Sequence, residues 1–357
     1  MDVRATGSLP ACYRTPMSSS AQTQVTRLAV LGAGAWGSAL ASLAARNGHD
    51  VTMYSRSSER AATWRTTRHD PSGRTPLELP AGVLPTSDLH EALDGVDGAL
   101  FAVPNARLHA LLDAIHGAHL APTLAVSCSK GLFAPSLNLP SGLIASKLDC
   151  PVAVLSGPNL ANEIAAGLPA AATVAHADDA YAATVQAWLS SHRFRVYRDD
   201  DALGVEIAGA TKNVVALAAG MADALHLGEN AKAALITRGL AEMIRLGEHL
   251  GGRARTFYGL SGVGDLIATC ASHASRNHLA GERLAGGEAA DDLLREGLTA
   301  EGIATARAID AFARSHELRL PITRQVAAVT RGERTAAEAL DALLSGDPKT
   351  EWTPPGR

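Results

Sequence analysis

The sequence predicts a doubly wound α/β domain followed by an all-α domain. Three observations carry this. Short apolar segments alternate with helical stretches from Arg27 onward, a glycine-rich turn links the first segment to its helix, and strand signals stop after Arg195-Val-Tyr197. Strands that are apolar throughout, rather than at every second position, belong to a parallel sheet covered on both faces.

Residues 1–26 are rich in Ser, Thr and Ala, include Arg4 and Arg14, and lack the apolar core of a secretory signal. A disordered extension is expected there, with Met17 as an alternative start. Leu28-Ala-Val-Leu31 is the first strand, followed by Gly32-Ala-Gly-Ala-Trp-Gly37 and a helical run through Ala45. Val51-Thr-Met-Tyr54, Gly98-Ala-Leu-Phe-Ala-Val103, Leu124-Ala-Val-Ser127 and Val152-Ala-Val-Leu155 repeat the strand pattern. Beyond the acidic loop Asp199-Asp-Asp201 the expected helices are 203–225, 231–250, 260–270, 274–285, 300–315 and 336–344. The tail 346–357, with Pro348, Pro354 and Pro355, is expected to be loose.

Composition narrows the function. The 357 residues suffice for two sizeable cores, and 46% apolar with 19% charged residues suits a globular protein. A net charge of −4 leaves no basic excess to neutralise phosphates, which argues against nucleic acid as a partner. Cys12, Cys128, Cys150 and Cys270 form no CxxC pair, a usage that suits a reducing cytosol, so a cytoplasmic location is expected. No apolar run reaches the roughly 18 residues that cross a bilayer. His116-x-x-His119 lacks carboxylate or cysteine companions, and no metal site is expected.

The turn Gly32-x-Gly34-x-x-Gly37 lies between a strand and a helix, the context of a Rossmann-like dinucleotide site. Gly32 permits the tight turn, Gly34 lets the backbone approach a pyrophosphate, and Gly37 lets helix and strand pack closely. Trp36 is placed to cover the dinucleotide. The second strand ends in Tyr54-Ser-Arg-Ser-Ser58, with no acidic residue for a ribose 2′-hydroxyl. Arg56, with Ser55 or Ser57, suits a 2′-phosphate, so NADP as well as NAD is expected as cofactor. The expected domains are therefore 27–203 for the dinucleotide and 204–345 for a helical substrate domain.

Lys212 is the single charge between Glu206 and Asp223. An ammonium in so apolar a helix is costly unless paired or in use, and burial lowers a lysine pKa toward the range useful for proton transfer. A salt-bridged structural lysine remains the alternative on this segment alone. Ser129-Lys-Gly131 and Ser156-Gly-Pro-Asn-Leu-Ala161 follow strand ends, the crevice side of an open α/β sheet. Gly262-Val-Gly-Asp265 ends in a carboxylate, and Ser275-Arg-Asn277 sets a hydroxyl, a guanidinium and an amide side by side, a set that suits a phosphate group.

In this order, these motifs, with Thr211-Lys-Asn213 and Ala-Lys-Ala-Ala-Leu-Ile-Thr-Arg-Gly at 231–239, resemble the bacterial NAD(P)-dependent glycerol-3-phosphate dehydrogenases from about Arg27 to Leu344. The resemblance implies a helical domain of the 6-phosphogluconate dehydrogenase-like type. It also implies reversible reduction of dihydroxyacetone phosphate to sn-glycerol 3-phosphate, feeding phospholipid synthesis. By the same resemblance Lys212 is the proton acceptor, and Lys130, Gly157, Asn159, Asp265, Ser275, Arg276 and Asn277 meet the phosphorylated triose. Ala35, Trp36, Arg56, Lys130, Ala161, Arg276, Thr299 and Glu301 join the three glycines at the cofactor. A homodimer through the helical domain is implied too. Two features depart from the family's pattern: the N-terminal extension, and Asn159 where a small hydroxyl residue is common. Rival readings are a related β-hydroxyacid dehydrogenase acting on a carboxylate, and a non-catalytic cofactor sensor.

Overall fold

The computed structural model describes residues 25–73 and 76–345; the expectations for the first 24 residues and for the tail from 346 lie outside them. Among the described residues one sheet contains β1 (Arg27–Leu31), β2 (Asp50–Tyr54), β3 (Val83–Thr86), β4 (Gly98–Phe101), β5 (Leu124–Ser127), β6 (Val152–Ser156), β7 (Ala170–Ala175) and β8 (Phe194–Asp199). Their order is β3-β2-β1-β4-β5-β6-β7-β8. Chain order reverses between β1 and β4, the switch point at whose C-terminal side doubly wound sheets bind ligands.

Seven helices accompany these strands: α1 (Ala35–Arg46), α2 (Ser58–Thr67), α3 (Leu89–Leu93), α4 (Asn105–Gly117), α5 (Pro140–Lys147), α6 (Ala161–Ala165) and α7 (Asp179–Leu189). Leu28 and Val30 of β1 belong to the layer with Leu40, Trp64 and Val185 from α1, α2 and α7. Ala29 and Leu31 belong to the opposite layer with Leu93, Leu108 and Ile144 from α3, α4 and α5. Both strand faces are therefore buried, which is why the strands read as continuous apolar runs.

Three features were not expected. The β6–β7 pair is antiparallel, so the sheet is not wholly parallel. The link between them carries only the short α6, and the chain turns back beside the strand it has just left. β3, with Pro85, is an edge strand, the place a sheet tolerates proline. β7, Ala-Ala-Ala-Thr-Val-Ala, carries little β-propensity of its own.

From residue 202 the chain is helical: α8 (Ala202–Ala224), α9 (Gly228–His249), α10 (Ala254–Phe257), α11 (Asp265–Ala271), α12 (Arg276–Ala285), α13 (Ala290–Arg295), α14 (Glu301–Ser315), α15 (Pro321–Thr330) and α16 (Ala336–Leu344). The stretch expected as one helix over 260–270 is a π-helical turn, Leu260–Gly264, running into α11. α8 is the hub, buried at every position from Gly204 to Ala222 and packed by α9, α11, α12, α14 and α15. By length and composition it could cross a bilayer, contrary to the expectation for the chain, but 89% of its most apolar window is buried inside the protein. It is a core helix.

Two contacts fix α8 for function. Asp201 caps its start, accepting from Gly204 N at 2.9 Å, while its other oxygen accepts from Arg253 N at 2.9 Å and Thr256 Oγ1 at 2.6 Å. Near its end the backbones of α8 and α12 touch: a Cβ at Gly220 would lie 2.0 Å from the His278 carbonyl oxygen, and one at Gly281 2.1 Å from that of Leu217. The N-terminus of α12, with Ser275-Arg276-Asn277, is thereby held beside the helix that bears Lys212.

Candidate active site

The C-terminal ends of β1, β4, β5 and β6 lie side by side in parallel register, so the loops that follow them form one rim. At β1 the rim is the glycine turn. Gly32 has φ +125°, and a Cβ there would lie 2.5 Å from the Ala102 carbonyl oxygen; a Cβ on Gly37 would lie 1.8 Å from the Gly32 carbonyl oxygen. A Cβ on Gly34 meets nothing within 4 Å, so the backbone there faces open space. Gly34 is the N-cap of α1, which has neither a side-chain cap nor an acidic residue in its first turn. A bare helix N-terminus of this kind attracts an anion, and the turn fits a dinucleotide pyrophosphate. Ala35 and Trp36 open α1, with Trp36 packed partly on the sheet core.

Arg56 is exposed, just past the end of β2. Ser57 caps α2, its Oγ accepting from Arg60 N at 3.1 Å. Sequence reading passed over Arg60, whose Nε donates to the Ala33 carbonyl at 3.2 Å and whose guanidinium pairs with buried Asp70 at 2.9 Å. This clamp holds the glycine turn from the side of α2. Nothing in the local sequence marks it, because Asp70 comes from the loop beyond the helix.

The β5 and β6 loops meet the helical half around Asp265, which is 2% exposed. Lys130 Nζ donates to the Gly157 carbonyl at 2.9 Å and to Asp265 Oδ2 at 2.5 Å. The Lys212 ammonium donates to Asp265 Oδ1 and, at 2.5 Å, to Thr269 Oγ1. The Thr269 hydroxyl spends its own proton on the Asp265 carbonyl at 2.7 Å, so it can only accept from Lys212. One carboxylate thus bridges two lysines from different elements. Burial pulls the Lys212 pKa from 10.5 down to about 8; Asp265 opposes this and Lys130 reinforces it. Thr269 was not expected at the site, although its position four residues after Asp265 on one helix is the signal that finds it.

Asn159 keeps both amide atoms buried without a hydrogen-bond partner among the described residues, and Ser156 Oγ is likewise orphaned. Such groups are costly to bury unless something else meets them. Ser275 caps α12, its Oγ accepting from His278 N at 3.3 Å. Asn277 Oδ1 accepts from Gly302 N at 2.9 Å, tying α12 to α14, so half of its amide is in structural use. Glu301 Oε1 accepts from Asn105 N at 3.2 Å, which joins the start of α14 to the β4 loop. Burial pushes the Glu301 carboxyl up, against the Asn105 amide and the charges of Arg276, Lys130 and Lys212. The charges of all three cations therefore reach this carboxyl. Arg276 is exposed, Ala161 opens α6, and Thr299 lies just before α14. The rim thus carries a bare helix N-terminus after β1, and its β5 and β6 loops carry Lys130 and Gly157 onto Asp265, the partner of buried Lys212.

Family models match both halves of the chain. One described as the NAD-dependent glycerol-3-phosphate dehydrogenase N-terminus matches residues 27–182, and one described as its C-terminus matches 201–341. The chain is 48% identical over 330 residues to the NAD(P)+ glycerol-3-phosphate dehydrogenase of Deinococcus radiodurans, covering 92% of this chain and 98% of that protein. It is 43% identical over 327 residues to the protein of the same name from Thermus thermophilus, with 91% and 100% covered. The crystal structure of glycerol-3-phosphate dehydrogenase from Coxiella burnetii superposes with a TM-score of 0.85 at 35% identity, covering 90% of this chain and 99% of that one. D-mandelate dehydrogenase, at 13% identity and a TM-score of 0.54, shares the fold alone.

Proposed function

The chain belongs to the NAD-dependent glycerol-3-phosphate dehydrogenase family, and we propose that Lys212 is the group that moves the proton in its reaction. The protein is an NAD(P)-dependent oxidoreductase that reduces dihydroxyacetone phosphate to glycerol 3-phosphate, reversibly. The nicotinamide, when bound, supplies or takes the hydride.

The observation that carries the assignment is a buried lysine whose pKa is pulled to about 8 while it is held by the Asp265 carboxylate and the Thr269 hydroxyl. In reduction the Lys212 ammonium polarises the ketone oxygen and gives it a proton; in oxidation the neutral amine takes the hydroxyl proton. Asp265 orients both lysines, and Lys130, anchored to the Gly157 carbonyl, faces the substrate with Asn159. Arg276, with Ser275 and the free half of the Asn277 amide, takes the phosphate, arginine giving the bidentate contact. Gly32, Gly34, Ala35, Trp36 and Gly37 cradle the dinucleotide, Arg56 takes a 2′-phosphate, and Lys130, Ala161, Arg276, Thr299 and Glu301 line its nicotinamide end. We assign 27–203 to cofactor and 204–345 to substrate, with a homodimer through the helical half and a cytoplasmic location.

The test is oxidation of NADPH, and of NADH, with dihydroxyacetone phosphate set against short 2-keto acids, and reduction of NADP+ and NAD+ with glycerol 3-phosphate set against short 3-hydroxy acids. Lys212→Ala is expected to abolish turnover while NADPH still binds. Hydride transfer in that variant at near wild-type rate sinks the assignment, and turnover of a carboxylate in preference to the triose phosphate sinks the substrate. Light scattering on the purified protein decides the dimer.

A further inference from the structure

The turn between α11 and α12 brings together three ligating groups that the reaction does not use. His273 lies in the turn, with 82% of its side chain exposed; His278 and Glu282 lie one helical turn apart on α12. One ligand atom from each, taken together, all fall within 4.8 Å of one another. Glu282 Oε1 is 3.4 Å from His273 Nδ1 and 3.6 Å from His278 Nδ1.

The far side of His278 settles which of its nitrogens carries a proton. Nε2 lies 2.8 Å from Asp223 Oδ2, and Asp223 also pairs with Lys232 at 3.0 Å. A carboxylate held by an ammonium accepts, so Nε2 donates, and in the neutral ring Nδ1 is then a bare lone pair. That Nδ1 sits in a residue 1% exposed and has no hydrogen-bond partner among the described residues. It points at a carboxylate oxygen, acceptor against acceptor. A cation between them removes the conflict.

We propose that His273, His278 and Glu282 form a binding site for a divalent transition-metal ion of the zinc type, with Asp223 orienting His278 from behind. Two imidazoles and a carboxylate are a common ligand set for zinc, and a ligating histidine usually gives its other N–H to a carboxylate. Bonds of about 2.0–2.2 Å to a tetrahedral ion place ligand atoms about 3.3–3.5 Å apart, which the two contacts to Glu282 approach. The exposed His273 ring is free to swing through the remainder. No metal was expected from the sequence, where only His116-x-x-His119 was weighed and these three residues were not singled out. An ion here would tie the turn to α12 on either side of Ser275-Arg276-Asn277, setting the phosphate-facing groups from behind.

The test uses the full chain stripped with a chelator and titrated with Co2+, followed by its visible absorption, then competed with Zn2+. One equivalent is expected to bind and to be displaced by Zn2+. His273→Ala, an exposed change that leaves the ion-free melting temperature alone, is expected to weaken Co2+ at least tenfold, and Asp223→Asn about 10- to 100-fold. Equal Co2+ affinity in the wild type and His273→Ala, or no binding at millimolar Co2+, overturns the site.

Discussion

If Lys212 moves the proton, its depressed pKa sets the pH dependence of both directions of the reaction. With the pKa at about 8 rather than 10.5, about one lysine in eleven is neutral at pH 7, against about one in three thousand for an ordinary lysine, a gain of about 300-fold in free base. Oxidation, which needs the neutral amine, should then rise about fivefold between pH 7 and pH 8 and less than twofold from pH 8 to pH 9. Reduction, which needs the ammonium, should fall over the same window. The perturbation that isolates the cause is Lys130→Met, which removes the cation that helps hold the pKa down, so the inflection should move upward. The assay is kcat against pH in each direction at saturating substrate, so that weaker binding by the variant is separated from proton transfer. A flat profile, an inflection near 10.5, or an inflection that moves down in Lys130→Met would refute the reasoning.

Other outcomes follow from the same contacts. Thr269→Val removes an acceptor that favours the ammonium, so the inflection should move to lower pH, with kcat for reduction at pH 8 reduced; an unmoved profile denies Thr269 a positioning role. Keeping Lys212 charged in the fold costs about 3 kcal/mol below pH 8, a cost that disappears as pH rises from 8 to 10.5. Lys212→Met, which leaves Asp265 paired with Lys130, should therefore be more stable than wild type in urea at pH 7, the gap closing toward pH 10. Burial pushes the Glu206 carboxyl up to about 7, against its bonds from Ser127 and Ser141, so its contribution to stability is present below pH 4.5 and lost as pH rises to 7, by about 3 kcal/mol at most. Glu206→Gln should flatten that part of the stability–pH curve, leaving the similar slope from Glu242, whose carboxyl is also pushed up to about 7. Arg56→Ala should raise KM for NADPH several-fold and leave that for NADH unchanged; equal changes in both would remove Arg56 from the 2′-phosphate.

The amino-acid sequence by itself determined the α/β-then-α class, five of the strands through their apolar runs, and the glycine turn, because periodicity and a Cβ-free turn are local properties. It also marked Lys212 as an anomaly, since a lone charge in an apolar helix is visible without coordinates. What it did not carry is what depends on partners far along the chain. Asp265 reaches Lys212 across 53 residues, and Lys130 across 135. Only the packed structure made one carboxylate serve two ammoniums and put Thr269 beneath them. The same holds for the reversed β7, whose alanines state no preference, for the Arg60–Asp70 clamp, and for His278, whose orphaned nitrogen exists only because Asp223 of another helix holds the opposite side of the ring. Local pattern selects the elements; the free energy of burying charge and satisfying hydrogen bonds is settled by neighbours in space, and there the tertiary structure decided.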